Sequence, residues 1–333
     1  MKIIIIGGTR FIGPFVVSQL LELGHEVVLF HRGQTTSYDL SGKVRHIIGD
    51  REQLINYKDE FKHYLPDVVL DMIPSKRSHA DVVMRTFKGI AKRIVAISSG
   101  DVYRAYDLMI RNETHPLEPL PLTEDPNLRE KLFPYRNSGN MEYDKILVEQ
   151  IIMGDDDLPG TILRLPAVYG PGDNQHRTFE FLKRMDDNRD FILLSEDFAQ
   201  FRWTHAYVEN VASGIVAAIT KDRASGKIYN IGEIETLPRA DWIKAIGKGA
   251  GWNGKEITVP TLPDQIGFNL LNTKQHLIMD SSRIRTDLDF KEIVPFWEGL
   301  KKTIAWERKN KPEKIDLKRF DYEMEDEIYN NIA

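Results

Sequence analysis

The stretch KIIIIGGTRFIG, residues 2–13, decides the fold. Its isoleucines predict a buried strand, its glycines a tight turn, and the mostly apolar run from Ile12 to Leu23 a helix. A strand, a glycine turn and a helix in this order are typical of a dinucleotide-binding unit, in which the helix N-terminus faces a pyrophosphate. The turn fits neither common glycine template, because Arg10 stands where both place a glycine.

The alternation of strand and helix continues through the first half of the chain. Further apolar runs rich in β-branched residues occupy positions 26–30, 44–48, 67–72 and 93–98, with helical patterns between them. Nearly continuous apolar strands separated by helices indicate a parallel sheet covered on both faces. We therefore predict an α/β protein built on a doubly wound parallel sheet.

The second half is more irregular. Residues 115–134 contain five prolines and sustain neither period, so we predict a long loop that is functional or disordered, with a helix resuming over residues 136–153. We divide the chain into a nucleotide-binding domain (1–165), to which some later segments return, a smaller, mainly substrate-binding α+β domain (166–311), and a charged, mostly solvated tail (312–333).

Composition narrows the classes of ligand. The net charge is −5, and the 45 lysines and arginines are dispersed along the chain, which argues against nucleic acid as the main partner. The chain has no cysteine, which excludes disulfides, thiolate metal sites and a cysteine nucleophile, and we predict no metal ion. No apolar run approaches the roughly 18 residues of a membrane span, so we expect a cytoplasmic protein that does not enter a membrane.

The glycine turn supplies the core of the predicted cofactor site. Its glycines let the backbone approach a pyrophosphate, whose charge is stabilised by the unpaired N–H groups at the helix N-terminus. The cofactor-binding residues predicted in the turn are Gly7, Gly8, Thr9, Arg10, Phe11, Ile12 and Gly13.

The end of the second strand bears on the choice of cofactor. An NAD-binding domain is expected to place an acidic residue there, but this chain has His31, Arg32 and Gly33. Arg10 points from the turn towards the same ribose, so two guanidinium groups could hold a 2′-phosphate. We predict NADP in preference to NAD, with His31 and Arg32 in the site. The alternatives are that Arg10 lies over the adenine or that either arginine is merely solvated.

Asp50 follows the third predicted strand, and two interpretations of it are open. It is placed to accept a hydrogen bond from the adenine amino group. It is equally placed to cap the N-terminus of the next helix.

Four stretches together resemble the extended short-chain dehydrogenase/reductase family, specifically its NAD(P)-dependent sugar-nucleotide epimerases and dehydratases. They are GGTRFIG (7–13), SSGDVY (98–103), YDKILVEQ (143–150) and RLPAVYGPGD (164–173). The resemblance covers residues 1 to about 310. It implies an N-terminal Rossmann domain, a C-terminal substrate domain, hydride transfer to a tightly held cofactor, a nucleotide-sugar substrate and a homodimer.

The same resemblance implies roles for Ser99 and Lys145. Ser99 holds the position of the residue that binds the substrate hydroxyl, although it could instead satisfy its own turn. Lys145 matches the lysine that binds the nicotinamide ribose and lowers the pKa of a catalytic tyrosine four residues earlier, where this chain has Met141. Tyr143 lies about 200° from Lys145 around a helix, so we predict that it packs on the other face.

Because position 141 is a methionine, whose thioether cannot accept a proton from a sugar hydroxyl, the residue that would carry this proton is not identified by the resemblance. General base catalysis typically contributes a factor of about 10² to 10⁴, so its loss would be severe. The candidates to replace the tyrosine are Tyr103, Asp101 and Tyr135, the last at the end of the proline-rich loop.

The resemblance also implies substrate-binding residues. Arg202 is similar to the arginine that many of these enzymes use on the nucleotide diphosphate, and His205 and His176 could join it. Pro166 would suit a wall around the nicotinamide. Ala167 is a departure, since many sugar-nucleotide enzymes have an asparagine there that contacts the diphosphate.

Three functions are open. An NAD(P)-dependent epimerase, dehydratase or reductase acting on a nucleotide sugar is favoured. A non-catalytic NADP sensor is the first alternative, because superfamily members with methionine in place of the tyrosine resemble co-regulators that bind a dinucleotide without turnover. The second is an RNA-associated relative of the chloroplast type, which shares a similar GGTRF turn but is disfavoured by the acidic pI.

Overall fold

A seven-stranded parallel sheet forms the centre of the computed structural model, which describes residues 1–35, 44–111, 114–263 and 271–332. In spatial order its strands are β10 (Lys227–Asn230), β6 (Gly160–Leu165), β5 (Arg93–Ser99), β4 (Val68–Asp71), β1 (Lys2–Ile6), β2 (Glu26–His31) and β3 (Arg45–Ile48). The strands that follow β1 in the chain are added first on one side of it (β2, β3) and then on the other (β4, β5, β6). This reversal of strand order opens a crevice at the carboxyl ends of the central strands.

The isoleucines of β1 show how the sheet is buried on both faces. Ile3 and Ile5 pack into one hydrophobic cluster, and Ile4 and Ile6 pack into another, because successive side chains of a strand point to opposite faces. The first cluster is covered by α1 (Ile12–Glu22) and α8 (Val208–Thr220), and the second by α2 (Lys58–Tyr64), α3 (Arg77–Phe87) and α5 (Lys145–Ile152). The predicted doubly wound α/β fold is confirmed.

The segments after β6 divide between this sheet and a smaller α+β part. Strand β10 and helix α8 return to the sheet. Two short parallel pairs lie outside it: β7 (Ala167–Tyr169) with β9 (His205–Tyr207), and β8 (Phe191–Ser195) with β11 (Lys255–Val259). The remaining helices are α4 (Arg104–Met109), α6 (Phe179–Asp186), α7 (Glu196–Gln200), α9 (Arg239–Ala250), α10 (Ser282–Leu288), α11 (Phe296–Lys309) and α12 (Tyr322–Asn330). Among the described residues, no helix has the length and apolarity to span a membrane.

The helix predicted over residues 136–153 is wrong in its first half. Residues 136–138 form only a 3₁₀ turn, and α5 begins at Lys145. Asp144 caps α5 by accepting a hydrogen bond from the backbone N–H of Ile146 at 2.9 Å. The same carboxylate forms a fully buried ion pair with Arg129 at 2.6 Å and accepts from the N–H of Phe133, so contacts outside the helix fix where it starts.

The charged C-terminal segment is more ordered than predicted. Most of its residues are exposed, but α12 is held to the body of the protein by one buried ion pair. Glu325 is 2% exposed and bonds to Arg184 of α6 at 2.7 Å. Tyr329 stacks on Phe191 of β8, with ring centroids 4.4 Å apart. The segment is therefore a docked helix rather than a solvated tail.

Candidate active site

A cleft of about 820 Å³ lies at the carboxyl ends of β1, β2 and β4. Its walls come from the glycine turn, from the loops after these strands, and from the residues that lead into α5. The lining side chains and backbone belong to Ile6 to Ile12, Phe30 to Thr35, Gly49 to Glu52, Met72, Ile73, Ser75, His79, Tyr143 and Lys145. Ser75 and His79 in this wall were not predicted from the sequence.

The glycine turn has the geometry that a pyrophosphate requires. Gly7 and Gly8 have φ of 89° and 83°, which side chains rarely adopt. A Cβ atom on Gly13 would lie 2.4 Å from the backbone of Gly8, so this helix start can approach the turn only without a side chain. Helix α1 has no side-chain cap, which leaves N–H groups at its N-terminus for an anionic ligand. These features fit the diphosphate of a dinucleotide.

Arg10 bridges the glycine turn and the loop after β2. Its Nε donates to the hydroxyl of Thr35 at 3.0 Å, and both Arg10 and Arg32 are exposed in the cleft wall. Neither guanidinium pairs with a carboxylate in the part of the chain that the structure describes. His31 contacts His46 at 2.8 Å between ring nitrogens, and burial, with the charge of His46, lowers the pKa of His31. The two arginines are therefore exposed positive groups of this wall without a carboxylate partner among the described residues.

Asp50 adopts the capping role that was one of its two interpretations. Its Oδ1 accepts from the backbone N–H of Glu52 at 2.9 Å, at the start of a 3₁₀ helix over Arg51–Tyr57. Asp50 also lines the cleft, so its contact with an adenine stays a prediction.

Lys145 lies buried at the inner end of the cleft. Its Nζ donates to the carbonyl oxygens of Pro74 and Ile97, at 2.8 and 2.9 Å. Burial lowers the pKa of Lys145 to about 8. The ammonium group lies 5.9 Å from the ring centroid of Tyr143. The lysine therefore lines the cleft, and its contact with a nicotinamide ribose stays a prediction.

The prediction that Tyr143 packs on the face away from Lys145 is wrong. Its hydroxyl donates to Oδ2 of Asp101 at 2.7 Å, and its ring lines the cleft beside Lys145. The helical spacing argument failed because α5 begins only at Lys145, so residues 141–143 are not helical. Met141 is 58% exposed at the surface. Tyr143, two residues before the lysine, is therefore the tyrosine that lines the cleft among the described residues.

Two tyrosine hydroxyl groups lie within hydrogen-bond distance of the carboxylate of Asp101. Oδ2 accepts from Tyr143 and also lies 3.1 Å from the hydroxyl of Tyr135, which in turn lies 2.9 Å from that of Tyr106. Asp101 is 3% exposed, and burial raises the pKa of its carboxyl group. Burial, followed by the charge of Asp101, also raises the pKa of Tyr143, which its interaction with Ser99 partly offsets. Tyr106 was missed in the sequence analysis.

Ser99 ends β5 at the edge of this cluster. Its Oγ accepts from the backbone N–H of Asp101 at 3.2 Å, so the hydroxyl does satisfy its own turn, and it also interacts with Tyr143. Tyr143 and Lys145 line the cleft, and Ser99 reaches this part of the site through its interaction with Tyr143.

Comparison with known proteins agrees with this geometry. The sequence model of the NAD dependent epimerase/dehydratase family matches residues 3–232. This chain belongs to that family. The resemblance inferred from the four sequence stretches is confirmed.

Individual relatives of this epimerase/dehydratase family member differ in what their names describe. The chain is 24% identical over 315 residues to the chloroplast stem-loop binding protein of 41 kDa b of Arabidopsis thaliana, spanning 90% of this chain and 77% of the relative. It is 28% identical over 153 residues to a dTDP-glucose 4,6-dehydratase of Streptomyces griseus, spanning 45% and 43%. The fold is similar to that of the UDP-glucose 4-epimerase of Thermotoga maritima, solved with UDP-glucose, with a TM-score of 0.69 at 19% identity over 93% of this chain and 99% of that one.

Tyr103 does not belong to the cluster of Asp101, Tyr135 and Tyr143 in this epimerase-family chain. It is fully buried in the core, and its hydroxyl lies 2.5 Å from Oδ1 of Asn230 and 2.9 Å from the carbonyl oxygen of Thr123. These contacts join β10 to the proline-rich loop. The prediction of Tyr103 as a proton carrier is wrong, because its hydroxyl points into the core rather than into the cleft.

The two histidines predicted beside Arg202 are used in packing. His205 stacks on Trp242 at 4.7 Å, and burial lowers its pKa well below the usual value. His176 pairs with Glu307 of α11 and stacks on the neighbouring Trp306. These contacts argue against substrate roles for both histidines.

Arg202 and Pro166 are not among the residues that line the cleft. Arg202 is half-buried, and its guanidinium donates to the carbonyl oxygen of Thr236 at 3.0 Å. Pro166 joins β6 to β7 at the carboxyl edge of the sheet. Contacts of either residue with a ligand stay predictions.

Proposed function

We propose that this chain is an NAD(P)-dependent oxidoreductase of the epimerase or dehydratase type that acts on a nucleotide sugar, with Tyr143 as the group that exchanges a proton with the substrate hydroxyl. The observation that carries the proposal is that Tyr143, which interacts with Ser99, and the buried Lys145 line the same cleft as the glycine turn. Oxidation of an alcohol needs a positioned group that accepts the hydroxyl proton, and Tyr143 is the candidate for that role here.

The residues of the cleft divide the work of holding a dinucleotide. Gly7, Gly8 and the start of α1 would hold the diphosphate, and Lys145 the nicotinamide ribose. When bound, the dinucleotide supplies the acceptor for the hydride. Because its Nζ is held by two carbonyl oxygens, Lys145 presents a fixed positive group at the inner end of the cleft.

The substrate side follows from the groups around Tyr143. Ser99 would orient the hydroxyl of the sugar, and Tyr143 would accept its proton as the carbonyl forms. Arg202 would contact the diphosphate of the substrate, since a guanidinium fork suits two phosphate oxygens. The names of the relatives, which include a UDP-glucose 4-epimerase and a dTDP-glucose 4,6-dehydratase, support a nucleotide sugar.

We infer further that NADP binds in preference to NAD. Arg10 and Arg32 are exposed in the wall beside the expected 2′-phosphate, and the end of β2 lacks the acidic residue that would repel it. The test is titration calorimetry of NADP and NAD with the wild type, Arg10→Ala and Arg32→Ala. A charged hydrogen bond contributes about 1.5–3 kcal/mol, so each variant should lose roughly 10- to 100-fold in NADP affinity and little in NAD affinity. Equal or tighter binding of NAD by the wild type contradicts this preference.

Catalysis is tested by mixing the dinucleotide-loaded protein with UDP-glucose, UDP-glucuronic acid or dTDP-glucose and following both nicotinamide absorbance and the sugar product. We expect reduction or a changed sugar with at least one of them. Ser99→Ala should slow this reaction while leaving dinucleotide affinity intact. Binding without reaction towards any of the three would favour the sensor alternative, whose main argument, Met141, is weakened by the position of Tyr143.

RNA binding is the second candidate function, because the chloroplast relative named for stem-loop binding aligns along 90% of this chain. The net charge of −5 argues against it. A mobility-shift titration with a stem-loop RNA decides: saturable binding at physiological salt that NADP abolishes would make RNA a ligand of the cleft.

A homodimer is also proposed from the family resemblance. Sedimentation equilibrium of the purified protein should give twice the chain mass of 38.4 kDa.

A further inference from the structure

The phenol of Tyr143 is an unusual base, because its surroundings keep it protonated. Burial and the nearby carboxylate of Asp101 raise the pKa of Tyr143. Lys145 would favour the phenolate, but its Nζ is turned to the carbonyl oxygens of Pro74 and Ile97 rather than to the hydroxyl. A phenol that remains protonated can accept a proton from substrate only if its own proton leaves at the same time.

Asp101 is the group placed to receive that proton. Its Oδ2 lies 2.7 Å from the hydroxyl of Tyr143 and already accepts its hydrogen bond. Its Oδ1 is buried and has no hydrogen-bond partner in the described parts of the chain, so nothing on that oxygen stabilises the charge. Uncompensated burial of a carboxylate favours the protonated form.

We propose that Asp101 is the positioning residue of this site and takes up the proton that the substrate hydroxyl passes to Tyr143. The inference rests on the proposed function. As the substrate O–H bond breaks, its proton moves to the Tyr143 oxygen and the original Tyr143 proton moves to Oδ2 of Asp101. The C–H electron pair leaves with its hydrogen as hydride to the dinucleotide, and a C=O bond forms. Asp101 ends neutral, and reduction of the carbonyl reverses each transfer.

The charges around Asp101 set the pH at which it can act. Tyr143 and Tyr135 donate to its carboxylate, Arg129 donates to its backbone carbonyl at 3.0 Å, and Lys145 lies nearby at the start of α5. Burial raises the pKa of Asp101, and these groups lower it by a smaller amount. The ionised form accepts the proton, so oxidation of substrate should accelerate as pH rises through the pKa of Asp101, and carbonyl reduction should slow.

The first test needs no ligand. The pKa of Asp101 is measured in the full-length protein by carbon NMR of aspartate carboxyl groups, with the signal assigned by its loss in Asp101→Asn. We expect a pKa above the ordinary value of about 3.9. Tyr143→Phe should raise it further, because the carboxylate loses a donor, and Tyr135→Phe should raise it less, because that contact is longer.

Tyr229→Phe is the matched control. Tyr229 also donates to an aspartate, Asp287, but it lies on the edge strand β10 and does not contact Asp101, so its loss should leave the Asp101 signal unchanged. A pKa of Asp101 at or below the ordinary value, or one that Tyr143→Phe does not move, overturns the proposal.

The second test is the rate of nicotinamide reduction in a single turnover with the reactive sugar nucleotide, measured against pH. Asp101→Asn should slow it by about 10²- to 10⁴-fold and abolish its rise with pH, and Asp101→Glu should restore part of both. An unchanged rate and pH profile in Asp101→Asn would contradict this inference alone. No reduction by the wild type with any sugar nucleotide would contradict the proposed function itself, and the proton transfer with it.

Discussion

Two segments of this chain contribute to the same cleft in different ways. The glycine turn at residues 7–13 acts through its backbone, and its positive φ values and close approach to α1 follow from glycines that are visible in the sequence. The segment at residues 135–145 acts through side chains whose positions depend on where α5 begins. That start is set by Asp144 and its ion pair with Arg129, 15 residues earlier.

This difference shows that a rule based on helical spacing holds only for residues that are part of the helix. Counting four residues back from Lys145 presumes a continuous helix, and it selects Met141, which is exposed. The non-helical chain before Lys145 places Tyr143 against Asp101 instead. The glycine turn needs no such assumption, since strand, turn and helix are contiguous.

The largest expected effect distinguishes the two candidate positions for the proton-exchanging residue, 141 and 143. Tyr143→Phe keeps the aromatic ring but removes the hydroxyl, so we expect the rate of nicotinamide reduction to fall by about 10²- to 10⁴-fold. Dinucleotide affinity should be nearly unchanged, because the hydroxyl bonds to Asp101. The measurement is a single-turnover rate with calorimetry alongside.

Met141→Leu is the control for that change. The side chain is exposed and the substitution conserves its volume, so the rate should match the wild type. A loss in Met141→Leu together with full activity in Tyr143→Phe would restore the four-residue spacing and refute the assignment of Tyr143.

The second prediction concerns the residue that fixes the start of α5. Asp144→Ala removes a helix cap and leaves Arg129 buried without its partner, so the free energy of unfolding should fall by about 3–5 kcal/mol. Asp321→Ala removes the equivalent cap of α12 without a buried ion pair and should reduce it by about 1 kcal/mol. Urea unfolding measures both. Equal losses would show that Asp144 acts as a cap only.

Much of the fold could be predicted because buried parallel strands appear in the sequence as apolar runs. The isoleucines of β1 and the strands β2, β4 and β5 are examples, since each is covered on both faces and needs no polar alternation. The glycine turn was predictable for the same local reason. The docking of α12 could not be predicted, because the partner of its buried Glu325 is Arg184, which lies 141 residues away in the sequence.

The candidate site was predictable only in part. The motifs that carry the family resemblance singled out Ser99 and Lys145, whose roles stay predictions. His176 was misjudged because its partner Glu307 is 131 residues distant. The position of Tyr143 could have been predicted from the neighbouring sequence. Asp144 stands directly before the apolar pattern of α5, and an aspartate in that place is a strong N-cap signal. That signal predicts that the helix begins at Lys145, which leaves Tyr143 outside it.

The smallest expected effect returns to the glycine turn, where side chains contribute least. Thr35 accepts a hydrogen bond from Nε of Arg10 and so orients an exposed guanidinium towards the cleft. Thr35→Val removes that bond, which is worth about 0.5–1.5 kcal/mol, so calorimetry should show a loss of NADP affinity of roughly 2- to 10-fold and none for NAD. Thr35→Ser keeps the hydroxyl and should behave as the wild type. If Thr35→Val weakens NADP and NAD equally, Arg10 acts on the part of the dinucleotide that both share, and the selectivity for NADP must come from Arg32.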